Sequence, residues 1–96
     1  MSPIKKKKLI KLRKRLDLLD NSFIKLIKKR TNLVDEVLKL KDYKNQIIDK
    51  KRIRIILSKI KKKSLRNNID PKITNKIWKN MIWTYIDYEK RNFKKK

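Results

Sequence analysis

Apolar residues at Leu9, Leu12, Leu16, Leu19, Phe23, Leu26, Leu33, Val37 and Leu40 step mostly by three and four. This is the spacing of a helix that shows one stripe to a partner. Arg30 stands between Leu26 and Leu33, where the pattern asks for an apolar side chain. A guanidinium on a buried seam is costly unless an anion meets it, so the pattern raises the question of which anion that is. Ser2 and Pro3 suit a helix opening, as cap and first-turn proline. No Gly or Pro interrupts the chain from there to Lys41. One helix of roughly 38 residues would run ~57 Å, against a radius of gyration of about 12 to 13 Å for a globule of this size. Much of the stripe would be bare without a partner, so the expectation is a homodimer built on this helix.

Asp42 to Ile48 breaks the pattern and reads as a loop, with Asp49 as cap of a second helix over Lys50 to Arg66. Its apolar positions Ile53, Ile56, Leu57 and Ile60 share one face. Asn67-Asn68 ends it, and Asp70-Pro71 opens a third helix running to about Phe93. Ile73, Ile77, Met81, Ile82, Tyr85 and Ile86 are the expected inner stripe, with Trp78 at its edge and Glu89 one turn beyond Tyr85. The fold class is all-α: a three-helix chain with one long N-terminal helix, forming one domain over residues 1–96 whose lysine-rich ends, 1–8 and 94–96, are expected to fray.

Composition narrows the chemistry. The chain has neither Cys nor His, which removes disulfides, thiol nucleophiles, imidazole acid-base catalysis and the usual zinc sites. No apolar run is long enough for a membrane span, and none follows Met1 as in a signal peptide; the cytoplasm is the default address. The 32 Lys and Arg against nine Asp and Glu give a net charge of +23. Such a charge suits a basic helical module on nucleic acid, with Trp78 or Trp83 for stacking. It also suits composition bias, since Lys, Ile and Asn abound while Ala and Gly are absent, as an AT-rich genome would produce. The even spread of Lys over all three helices favours the second reading.

The informative polar residues are those on apolar faces. Arg30 and Lys41 are eleven residues apart, about 16 Å along a helix and on nearly one face, so both could reach a small polyanion between them. Arg13 lies about 25 Å before Arg30 and could share that anion only from an antiparallel second copy; otherwise it is a solvated surface residue. Arg30 could instead pair with a buried carboxylate such as Glu89. Asp49 and Arg52 share the first turn of the second helix. Glu89 continues an apolar stripe, an environment that favours a neutral, hydrogen-bond-donating carboxyl group.

Together these residues form a pattern. The segments Leu12-Arg13-Lys14-Arg15-Leu16-Asp17-Leu18-Leu19-Asp20, Leu26-Ile27-Lys28-Lys29-Arg30 and Val37-Leu38-Lys39-Leu40-Lys41 resemble the first helix of the all-helical chorismate mutases. The spacing Arg13, Asp20, Arg30, Lys41 is that family's without a gap. The likeness continues through Ile47-Ile48-Asp49-Lys50-Lys51-Arg52 and Ile69-Asp70-Pro71 into Ile77-Trp78-Lys79-Asn80-Met81-Ile82, ending at Glu89. Each motif is degenerate, but Arg13, Arg30, Lys41 and Arg52 with Asp49 and Glu89 in register are specific as a set.

The resemblance implies an intertwined homodimer whose active sites each take one arginine from the partner's long helix. It implies that Arg30 and the partner's Arg13 hold the two carboxylates of chorismate, bidentate contacts that suit guanidinium. Lys41 would contact a carboxylate and the ether oxygen, Asp49 would help place the ring hydroxyl, and Arg52 would order the pocket wall. Glu89 stands where the family has Gln or Glu donating to the ether oxygen. The rearrangement of chorismate to prephenate needs no nucleophile, metal or cofactor, so a chain without His or Cys is not disqualified. Two positions depart from the mutase pattern. Ile53 stands where a hydroxyl-accepting Glu is usual, a loss of about 1 to 3 kcal/mol in substrate stabilisation, and Tyr85 replaces a small Ser or Ala. Isochorismate-pyruvate lyases, which share the fold, look similar at both places but lack the aspartate at Asp49. The resemblance therefore favours the mutase, with the lyase as alternative.

Overall fold

A computed structural model describes residues 1–95. It contains three helices, α1 (Pro3–Leu40), α2 (Lys50–Arg66) and α3 (Pro71–Asn92), with a short 3-10 turn at Lys44–Gln46. The described residues form no strand, so the all-α class holds. None of these helices is long and apolar enough to cross a membrane. In the basic ends, Lys5–Lys8 lie in the first turns of α1 and Lys94 and Lys95 lie beyond α3, whereas Lys96 is outside the described residues. The chain divides into two units, Met1–Leu33 and Val34–Lys96.

The first unit is helical from Pro3 onward. Ser2 caps it, its hydroxyl accepting from the Lys5 amide at 3.2 Å and its carbonyl from the Lys6 amide at 2.9 Å. The stripe residues Leu12, Leu16, Leu19, Phe23, Leu26 and Leu33 are all more than half exposed in the single chain. A contiguous apolar face of this kind marks an interaction surface.

The second unit holds the core, in which Leu38, Ile47, Ile82 and Ile86 are buried and Ile48, Ile53, Ile56, Leu57 and Phe93 pack around them. Asp49 caps α2 by accepting from the Arg52 amide at 2.9 Å, and Asp70 caps α3 by accepting from the Lys72 amide at 2.9 Å, with Pro71 in the first turn. With no glycine available, Asn68 takes the left-handed conformation (φ 55°) after α2. The Ile69 amide donates to Ser64 O at 2.9 Å and the Asn68 amide to Leu65 O at 3.3 Å, closing the paired bonds of a Schellman motif. Ser64, itself buried, lies 2.7 Å from the Thr74 hydroxyl and ties α2 to α3.

The single chain covers only part of the expected stripes. In α1 the buried residue is Leu38, while its neighbours Val37 and Leu40 are exposed. In α3 the expected stripe is buried at Ile82, Ile86 and Glu89 and half-buried at Met81 and Tyr85, but its first turns differ: Ile73 and Ile77 are exposed, and Thr74 and Trp78 are covered instead. Both helices are apolar around more than one face, and periodicity alone does not say which face a single chain covers.

Candidate active site

The second unit brings Lys41 and Glu89, 48 positions apart, into an ion pair. Lys41 Nζ donates to Glu89 Oε1 at 3.0 Å, with the two side chains only 19% and 9% exposed. Local structure explains both positions. Lys41 is the first residue past α1, where a cation complements the negative helix end, and its amide donates to Leu38 O at 3.1 Å. Glu89 follows Ile82 and Ile86 on the buried face of α3. Charge-assisted contacts of this kind are shorter and stronger than neutral ones, and removing one partner would leave the other buried without its counter-charge.

A second tie joins the same two elements. Tyr88 donates its hydroxyl proton to Asp35 Oδ1 at 2.7 Å. The Asp35 carboxylate accepting that proton raises the Tyr88 phenol above its ordinary value, with burial and the carboxylate's charge acting in the same direction. Tyr88 also meets Tyr85 edge to face at 6.4 Å between ring centroids. Beyond α1, Gln46 Oε1 accepts from the amides of Asp42 at 2.7 Å and Tyr43 at 2.9 Å, closing the turn that leads to Asp49.

The remaining sequence-derived positions divide between the units. Asp49 and Arg52 are exposed on the first turn of α2, Ile53 is half-buried against the core, and Tyr85 is half-buried on α3. Arg13 is exposed and Arg30 half-buried, both in the first unit. Glu89, one carboxylate considered for Arg30, has Lys41 on its Oε1. A cleft of about 400 Å³ is lined by Asp35, Leu38, Tyr88, Asn92 and Phe93 among others, but neither Lys41 nor Glu89 is in its lining. The ion pair, where opposite charges are held largely out of water, is not part of that cleft. No group of three or more acidic side chains that could hold a metal occurs among the described residues.

The ties made by Asp35, Tyr88 and Gln46 were not legible in the sequence. Asp35 lies three residues before Leu38 and Tyr88 is adjacent to Glu89, which is the signal that could have found them. Nothing in the sequence marks Gln46.

A family model described as chorismate mutase type II matches residues 12–90. The chain belongs to that family. Membership supports chorismate mutase activity or that of a close relative, with chorismate or a similar dicarboxylate as substrate. No curated protein and no solved structure matches the chain.

Proposed function

We propose that the protein is a chorismate mutase that converts chorismate to prephenate in cytoplasmic aromatic amino-acid biosynthesis, acting as an intertwined homodimer. The observation that carries this reading is the half-buried Lys41–Glu89 pair. It fixes an ammonium donor, which stabilisation of charge on an ether oxygen calls for, beside a carboxyl group. In the reaction the ether C–O bond breaks as a C–C bond forms, with no proton transferred. Catalysis rests on folding the substrate into its reactive conformer and stabilising the negative charge that develops on the ether oxygen. Lys41 donates to that oxygen, and Arg30 with the partner subunit's Arg13 binds the carboxylates. Asp49 and Arg52 order the ring side of the pocket. The exposed stripe of α1 supports the second copy that Arg13 requires.

Glu89 accepts from Lys41 in the ligand-free chain, and on this reading its carboxyl group turns to donate to the ether oxygen when substrate binds. Glu89→Gln, which carries a permanent donor, is then expected to keep turnover, whereas Glu89→Ala loses most of it. Equal losses of kcat in the two variants would refute this role.

The apolar Ile53 packed on the core and the half-buried Tyr85 favour isochorismate-pyruvate lyase as second reading. Incubating the purified protein separately with chorismate and isochorismate discriminates the two. Prephenate from chorismate is the expected product. Pyruvate from isochorismate without prephenate would assign the lyase, and salt-dependent DNA binding without turnover of either would leave a binding module.

A further inference from the structure

Lys95 lies three residues beyond α3, yet its ammonium donates to Lys39 O at 2.7 Å and to Lys41 O at 3.0 Å. It also stands 4.0 Å from Asp42 Oδ1, but both of these side chains are substantially exposed, at 48% and 75%. An exposed ion pair contributes little, so the carbonyl contacts are the ones that matter. The last four carbonyls of a helix have no intrahelical partner, and together they form the negative end of its dipole. At the end of α1 the Lys41 amide takes the carbonyl of Leu38, and Lys95 takes that of Lys39 and the next one past the helix, that of Lys41 itself.

Phe93 explains how a residue so near the end of the chain reaches α1. Its ring packs on the core that contains Leu38, and its backbone is extended, with φ −71° and ψ 120°. In an extended segment alternate residues lie on one side, which puts Lys95 on the side that Phe93 has anchored. Lys41 is therefore held twice, by its side chain at Glu89 in α3 and by its carbonyl at Lys95 in the segment after α3, six positions further on. We infer that Lys95 is a positioning residue, whose ammonium closes the end of α1 and fixes the backbone from which Lys41 reaches the reacting oxygen. This inference rests on the role of Lys41 proposed above.

The test compares the wild-type chain with Lys95→Met, Lys95→Arg and Lys90→Met, the last removing an equal charge from the exposed last turn of α3. With chorismate as substrate, Lys95→Met is expected to lower kcat about tenfold with a smaller change in KM, short of the ~10²-fold that a 1 Å misplacement can cost. Lys95→Arg keeps most of the rate, Lys90→Met behaves as wild type, and Lys95→Met adds no further loss in a Lys41→Ala background. By amide hydrogen exchange, Leu40 to Asp42 open about tenfold more readily in Lys95→Met, while core amides of α2 do not change. Unchanged exchange would overturn the clamp. Faster exchange with wild-type kcat, or an additive loss in the Lys41→Ala background, would overturn the positioning role. If wild type turns over no chorismate, the proposed function fails while the exchange measurement still decides the clamp.

Discussion

Lys41→Ala is expected to lower kcat for chorismate by about 10²- to 10³-fold, the loss that follows removal of one preorganised donor to a developing oxyanion. The expectation follows from the placement of the ammonium. It sits just past the negative end of a 38-residue helix, its side chain is 19% exposed, and it is aimed at Glu89, so little reorganisation is needed when charge appears on a bound oxygen. The same substitution leaves Glu89, only 7% exposed, without its counter-charge. A stability loss of about 1 to 3 kcal/mol should accompany the loss of rate. Thermal melts and steady-state kinetics separate the two effects. Adding Glu89→Gln to Lys41→Ala should recover stability, because no buried charge is then left alone, but it should not recover turnover. If the double variant regained the rate, Lys41 would be a structural partner of Glu89 and nothing more.

The second large effect concerns the guanidinium groups. Arg13→Ala and Arg30→Ala should each lower kcat/KM by about 10²- to 10³-fold, as expected when one side of a desolvated, charge-assisted pair is removed at a cost of about 2 to 5 kcal/mol. Helix content and thermal stability should hardly change for Arg13→Ala, since Arg13 is exposed in the single chain. The contrast between an exposed residue and a large kinetic loss is informative. An exposed surface arginine ordinarily contributes little, so a deep defect would mean that Arg13 completes a site in another copy.

The helices were legible because their punctuation is chemical. A chain without glycine and with prolines only at Pro3 and Pro71 has few places to stop a helix, and Ser2, Asp49 and Asp70 each cap the helix they were expected to cap. The turn after α2 was equally readable, since Asn68 is the type of residue that tolerates a positive φ when glycine is absent. Which faces would be buried was less so. Leu38 lies one position from the expected stripe of α1, and in the first turns of α3 Thr74 and Trp78 are covered rather than Ile73 and Ile77, while Ile82 and Ile86 are buried as expected. In helices rich in Ile and Leu on several sides, the choice depends on what packs against them. The polar ties were the hardest to foresee. Asp35 and Tyr88 are 53 positions apart, and Lys95 is one of many lysines, distinguished only by the anchoring of Phe93. Of the candidate site, Glu89 stood out as a carboxylate continuing an apolar stripe and Lys41 by its spacing from Arg30, and the fold brings Lys41 and Glu89 together.

In the proposed homodimer α1 and the residue that follows it serve two active sites at once, lending Arg30 and Lys41 to one and Arg13 to the neighbour's. The most direct test is to unfold Arg13→Ala and Arg30→Ala together, refold the mixture and assay chorismate turnover. Each variant alone is inactive on this account, but a mixed dimer contains one site with both arginines intact. Random pairing makes half of the dimers mixed, so about a quarter of wild-type activity should return. Activity no higher than that of the two variants assayed separately, with mixed dimers shown to have formed, would contradict the shared site.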